Sequence, residues 1–215
     1  LTNLTASTTY HFAIYEYNDN CLIHNTTELT GNFTSCDNAP GLQASNFTSS
    51  NLTNSSATVG WTVGNGDNIL VVARSGGAVN ADPTDGTTYT ANAAFGSGTE
   101  IGTGNYVVYK GAGTSVNLTN LTASTTYHFA IYEYNDNCLI YNASELTGNA
   151  STISSTVTWN GSISTAWNNA SNWSNGIVPN STYDVVINNV SNDPTLGSSS
   201  DVCNSLTIQS GGVLI

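Results

Sequence analysis

The sequence predicts an all-β protein. Several short stretches alternate apolar and polar residues with a period of two, and no stretch carries the spacing of an amphipathic helix. Clusters of Gly, Asn and Asp separate these stretches, as turns separate strands. The strongest stretches are Ser56–Val63, residues 68–74 (NILVVAR), residues 105–109 (NYVVY), Ser115–Leu118 and residues 126–134 (TYHFAIYEY). Residues 64–67 (GNGD) contain an Asn-Gly pair and are expected to join the first two strands as a hairpin. Gly111, Ala112 and Gly113 are expected to join the next two in the same way. Residues 75–104, rich in Gly, Ala and Thr, read as a long loop with at most one short strand.

A repeat sets the domain plan. Residues 1–23, LTNLTASTTYHFAIYEYNDNCLI, return unchanged at 118–140, an offset of 117. The correspondence continues more loosely to Cys36, opposite Ile153. One complete unit is therefore expected over residues 37–153, preceded by residues 1–36 as the last two strands of another unit. From Ser154 the texture changes to a Trp- and Asn-rich module, residues 154–215, whose end (CNSLTIQSGGVLI) reads as one rung of a β-solenoid. The chain reads as cut at both ends. The expectation is either a piece of a longer array or a subunit whose incomplete sheets are completed by its neighbours.

Composition excludes some partners. Lys and Arg number 2 against 14 Asp and Glu, a net charge of −12. Such a chain has no basic patch with which to displace counterions from nucleic acid or to hold an anionic membrane surface. Its longest apolar run, residues 69–73, is too short to span a bilayer. Asn-x-Ser/Thr acceptor triplets are dense. Fifteen occur, at Asn3, Asn25, Asn32, Asn46, Asn51, Asn54, Asn117, Asn120, Asn142, Asn149, Asn160, Asn169, Asn172, Asn180 and Asn189. Two of them persist between repeats although their neighbours changed: Asn25 answers to Asn142 and Asn32 to Asn149. These asparagines are expected to carry glycans, which places the protein outside the cell or on its surface.

The complete unit resembles a fibronectin type III domain. Trp61 stands where that family has the core Trp of its second strand. Leu121 lies six residues before Tyr127, the spacing of the tyrosine corner, in which a phenol bonds back to the backbone where the chain crosses between sheets. The resemblance implies an immunoglobulin-like β-sandwich with Phe129 and Ile131 beside Trp61, enlarged by the loop at 75–104. Residues 81–89 (ADPTDGTTY) make the unit similar to repeats of large secreted proteins of Bacteroidetes-type bacteria, and the last module resembles one that follows such repeats.

No catalytic constellation emerges. His11, His24 and His128 include two copies of one strand position expected to face solvent, and no nucleophile elbow or metal-binding His/Cys motif is present. Glu16 and Glu133, equivalent positions on the longest strand, read as structural. Asp67, Asp82 and Asp85 before Gly86 could sit in a calcium loop, but their spacing is not that of an EF-hand, and an Asp- and Pro-rich turn accounts for them. No cofactor beyond covalent glycan is expected. Trp159, Trp167 and Trp173 could stack on sugar rings or fill the core of a small module, and the core reading is preferred. The four cysteines, Cys21, Cys36, Cys138 and Cys203, suggest disulfides in a secreted chain. Cys21 with Cys36 would tie two strands of the partial unit, leaving Cys203 as the intrachain candidate for Cys138. The other pairings and free thiols stay open. The leading expectation is a structural subunit of a glycosylated extracellular fibre whose partners are copies of itself, head to tail. The alternative is a spacer or carbohydrate-binding segment of a secreted adhesin or polysaccharide-degrading enzyme.

Overall fold

In the computed structural model, which describes residues 1–18 and 23–215, the protein is built from short strands and one 3₁₀ turn. The strands β1 (Thr9–Ile14), β2 (Tyr17–Asn18), β3 (Ile23–His24) and β4 (Leu29–Thr34) make a small antiparallel ribbon, with β1 on β4 and β2 on β3. The complete unit follows with β5 (Ser45–Ser50), β6 (Ala57–Thr62), β7 (Asn68–Ser75), β8 (Asn105–Gly111), β9 (Ser115–Leu118), β10 (Thr126–Asn135), β11 (Ile140–Tyr141) and β12 (Leu146–Ser151). Its two sheets are β5-β6-β9 and β8-β7-β10, and β12 and β11 both pair with β10. This is an antiparallel β-sandwich with the immunoglobulin-like division of strands between sheets.

Alternation explains the core. From one sheet Ala57, Val59, Trp61, Val116 and Leu118 face Val71, Ala73, Tyr127, Phe129 and Ile131 of the other, and all are buried. The second sheet is buried on its outer side as well. There Leu70, Val72, Ala130, Tyr132 and Tyr134 lie beneath Tyr89, Ile101 and Val79 of the loop between β7 and β8. That loop contains no strand among the described residues. It is held by bridges from Ala94 to Thr119 and from Glu100 to Tyr106. A strand covered on both faces needs apolar side chains at both parities, and residues 68–74 and 129–134 supply them.

Both expected hairpins are corrected by the sheet topology. Strand β6 pairs with β5 and β9, and β7 with β10 and β8, so Gly64–Asp67 carries the chain from one sheet to the other. The buried carboxylate of Glu133 accepts hydrogen bonds from the Gly64 and Gly66 amides (2.5 and 2.8 Å) and draws this loop onto the far sheet. Similarly, β8 and β9 belong to different sheets. Between them the Tyr109 hydroxyl accepts from the Gly113 amide, and the Trp61 indole donates to the Gly113 carbonyl.

In the last module β13 (Thr156–Trp159), β14 (Asp184–Ile187) and β15 (Ser205–Ile208) form a parallel sheet. Registered rows run Val157–Val185–Leu206 and Trp159–Ile187–Ile208. The first two members of each row are buried and the last is exposed. Hydrogen bonds from Ser205 and Asn204 to Asp184 fasten β15 to β14 and hold the Asp184 carboxyl below its ordinary pKa.

Candidate functional site

The repeat allows one sequence to be compared in two environments. The six residue pairs joining β1 to β4 recur one for one between β10 and β12, from Thr9–Thr34 against Thr126–Ser151 to Ile14–Leu29 against Ile131–Leu146. Both copies close the tyrosine corner: the Tyr10 hydroxyl accepts from the Thr5 amide (2.6 Å), and the Tyr127 hydroxyl from the Thr122 amide (2.8 Å). The local fold is therefore common to both copies, in the shared 23 residues and in the looser match that follows them.

What differs is the cover. Strand β10 has β7 along its other edge in eight registered pairs, whereas β1 has no second strand among the described residues. Phe129 is 1% exposed and Ile131 0%, but their counterparts Phe12 and Ile14 are 41% and 54% exposed. On the opposite face Tyr132 and Tyr134 are buried while Tyr15 and Tyr17 are open. Between the residues of the ribbon, Gly31 marks the missing layer. At its counterpart Gly148 the space above the α-carbon is filled by the ring of Phe47 from the other sheet, whose centroid lies 5.8 Å from that of Phe129 with the two rings tilted. At Gly31 that space is filled by the ring of Phe12 itself. The open ribbon thus presents an unpaired backbone edge and two uncovered apolar faces.

A disulfide anchors this ribbon to the complete unit. It joins Cys36, just after β4, to Cys138 in the turn after β10, and Asn137 donates to the Ser35 carbonyl beside it (2.8 Å). This corrects both expected pairings, Cys21 with Cys36 and Cys138 with Cys203. The physical reason is the repeat: the end of one unit lies against the turn of the next, so the bond forms between units. Cys203 carries a free thiol, pushed up in pKa by burial and by Asp184, and Cys21 lies outside the described residues.

The fifteen acceptor asparagines divide by exposure. Asn3, Asn25, Asn32, Asn46, Asn51, Asn117, Asn120, Asn149, Asn160, Asn180 and Asn189 are exposed, and Asn142 and Asn169 are half-buried. Asn54 and Asn172 are buried with their amide nitrogens in use. Asn54 donates to the Thr182 carbonyl (2.9 Å), tying the sandwich to the last module. Asn172 donates to Ser164 and to the Ala166 carbonyl while its oxygen accepts from Ile163 and Ser164. Triplet spacing alone could not separate these two from the rest.

The remaining candidates fall to structural roles. Trp159, Trp167 and Trp173 form a buried edge-to-face stack with centroids 4.9 and 4.7 Å apart, so they offer no surface strip to a sugar. Asp82 accepts from the Tyr132 hydroxyl and Asp85 from the Tyr141 amide, while Asp67 lies on a different loop and accepts from the Asp136 amide. No group of His, Cys, Asp and Glu among the described residues is arranged to hold a metal ion. His11 and His24 are exposed and His128 is half-buried. Glu16, the counterpart of Glu133, is exposed. No helix among the described residues is long and apolar enough to cross a membrane.

Comparison with known proteins bears on two parts of the chain. Residues 158–215 match the family described as a Domain of unknown function (DUF8693). No curated protein matches the sequence. Among solved structures, the chain is similar to a fibronectin type III domain of human collagen XX, at 19% identity over 55% of this chain and 100% of that one, with a TM-score of 0.34. It is similar to the FN1–FN3 domains of chicken CNTN1, at 14% identity over 69% and 44% of the two chains, TM-score 0.40. The extracellular domains d3–d4 of rat CD45 are similar at 19% identity over 71% and 67%, TM-score 0.36. Strand pairing, tyrosine corner and core Trp together make the complete unit a fibronectin type III-like β-sandwich.

Proposed function

We propose that this chain is a structural protein of the extracellular space, a glycan-coated subunit that assembles with copies of itself into a fibre or surface appendage. One observation carries the reading. The same strand sequence is buried on both faces at β10 and exposed on both faces at β1. An exposed edge of this kind is a template for pairing with another chain, and a contact that joins one end of a subunit to the other end of the next repeats without closing. The remaining features agree with an existence outside the cell: an inter-unit disulfide and thirteen acceptor asparagines at least partly open to solvent. In this reading the protein is not an enzyme and takes no metal. The sugar-binding alternative is weakened, because its three Trp rings are committed to a core.

Electron microscopy of native material, with glycopeptide mass spectrometry on the same sample, tests the proposal. Regular filaments and hexose-bearing peptides covering exposed acceptors such as Asn32 and Asn149 are expected, with Asn54 and Asn172 unmodified. Separate particles without an axial repeat would overturn the assembly, and bare peptides throughout would overturn the coat.

A further inference from the structure

The complete sandwich has an open flank in the middle of the chain. Besides the two-residue β11, four strands lie at the outside of its sheets: β5 and β9 in one, β8 and β12 in the other. Strand β5 pairs with β6 alone and β12 with β10 alone. Among the described residues no loop backbone bonds to either of them. The two strands are neighbours, with the Phe47 ring of β5 over Gly148 of β12. Such a pair of unpaired backbone edges invites the same flank of another copy to add its own strands.

Proteins blunt edges of this kind with charge or proline. Strands β5 (SNFTSS), β9 (SVNL) and β12 (LTGNAS) contain neither. No Asp, Glu, Lys or Arg occurs at all between residues 38 and 66 or between 146 and 183. Each of these strands carries acceptor asparagines instead. Asn46 lies on β5 and Asn51 one residue past its end, Asn117 lies on β9 and Asn149 on β12, and all four are exposed. Strand β8 is the exception, and it is protected in other ways. Its Val107 accepts from the Asn92 amide and donates to the Thr99 carbonyl (3.1 and 2.9 Å), so the loop covers its edge. It also carries Lys110, one of the two basic residues of the chain. By contrast, the loop meets β9 only beyond its end, at Thr119. The acceptors thus stand on the outer strands that lack any other guard. The repeat keeps the arrangement, with Asn32 on β4 at the position of Asn149 on β12.

We infer that sugars on Asn46, Asn51, Asn117 and Asn149 guard the sheet edges of the sandwich and keep copies from joining edge to edge. They take the part that charge takes on other edge strands. This rests on the reading of these asparagines as glycosylated. A partner strand must come within about 4.8 Å of β5 or β12 to form its ladder. A bulky hydrated sugar rooted on the same strand sweeps that space, and pinning it aside costs conformational freedom. The Asn46 and Asn51 amides donate to the Thr62 and Thr58 hydroxyls of β6 (3.3 and 3.2 Å). A glycosylated amide keeps one hydrogen, so these bonds can hold the root of each sugar at the outer face.

The test uses the full glycosylated chain, with occupancy read by glycopeptide mass spectrometry. Thr48→Ala together with Asn149→Gln removes one acceptor from each of the two adjacent edges. This double variant is expected to clump side by side in electron micrographs. Amides of residues 45–50 and 146–151 should then exchange hydrogen at least ten-fold more slowly than in the dispersed, unaltered protein. Thr48→Ala together with Asn149→Lys should disperse again, because a charge stands where the sugar stood. Ser191→Ala, which removes the exposed acceptor Asn189 in the last module, should behave as the unaltered chain. Closure of Cys36 with Cys138 reports that each variant is folded, and Thr48→Ala alone gives the reading at β5 if the double variant does not fold. Edge guarding is overturned if the folded variant stays dispersed with both sites bare. It is equally overturned if Ser191→Ala clumps as much, or if clumping brings no added protection to these two strands. Bare Asn46 and Asn149 in the unaltered chain would instead remove the coat reading at these sites, and this inference with it.

Discussion

At the scale of single residues, a few side chains carry instructions that no local pattern contains. Glu133 is the clearest: a fully buried carboxylate whose two oxygens accept from the Gly64 and Gly66 amides and so steer a loop between sheets. Glutamine at this position keeps the shape but turns one acceptor into a donor facing an N–H group. Glu133→Gln should therefore destabilise the sandwich by about 1–3 kcal/mol, seen as a lower urea midpoint with unchanged slope. The repeat supplies a matched pair of glycines for a second measurement. Gly148→Ala places a methyl group against the Phe47 ring, 2.3 Å from its nearest atom, where that half-buried ring packs against the core. Gly31→Ala meets the tip of Phe12, which can swing into open solvent. The first should cost about 1–3 kcal/mol in the same urea experiment and the second close to nothing.

At the scale of elements, the strands themselves were legible and their partners were not. Period-two alternation marks β6, β7, β9 and β10 because each buries at least one face. The turn residues between β6 and β7 permit a tight hairpin equally well as a crossing. The choice is made by Glu133, more than sixty positions away, and by Trp61 and Tyr109 reaching for the Gly113 loop. The disulfide was illegible for a similar reason, since it joins units and not neighbours in sequence. Burial of both faces of β10 has a consequence in alkali. Burial raises the phenols of Tyr132, Tyr134 and Tyr141, with Asp82 adding to it at Tyr132, and brings Tyr134 from 10.0 to about 12. Below pH 10 these phenols are neutral in both folded and unfolded chains, and their contribution to stability is complete. Between pH 10 and about 12 only the unfolded chain can ionise them, so stability falls as pH rises through that window. Tyrosinate absorbance should thus develop for these side chains together with loss of the near-ultraviolet dichroism, in one cooperative step above pH 10. Ionisation of all eleven tyrosines ahead of unfolding would contradict the buried cluster.

At the scale of the whole molecule, three bodies follow one another along the chain, and each joint is made differently. The partial ribbon is bonded to the sandwich through sulfur, and the sandwich is tied to the last module by the buried amide of Asn54. The candidate site was legible in the sequence only as far as the repeat made it so. An unchanged 23-residue stretch announces that one strand exists in two settings, and the structure supplies their difference as exposed against buried Phe and Ile. The acceptor triplets at Asn54 and Asn172 show the limit of such reading, because the same three letters serve as a joint in one fold context and a surface site in another.

The bond between Cys36 and Cys138, at a sequence separation of 102, has a mechanical meaning. Tension applied along the chain reaches Cys36, crosses the two sulfur atoms and leaves through Cys138. The roughly 100 residues between them form a covalent ring that the load goes around, and these hold β5 to β10. In a stretched fibre of the kind proposed, β5 to β10 would then be passengers, and roughly 330–360 Å of slack per subunit would stay locked away for as long as the sulfur bridge stays oxidised.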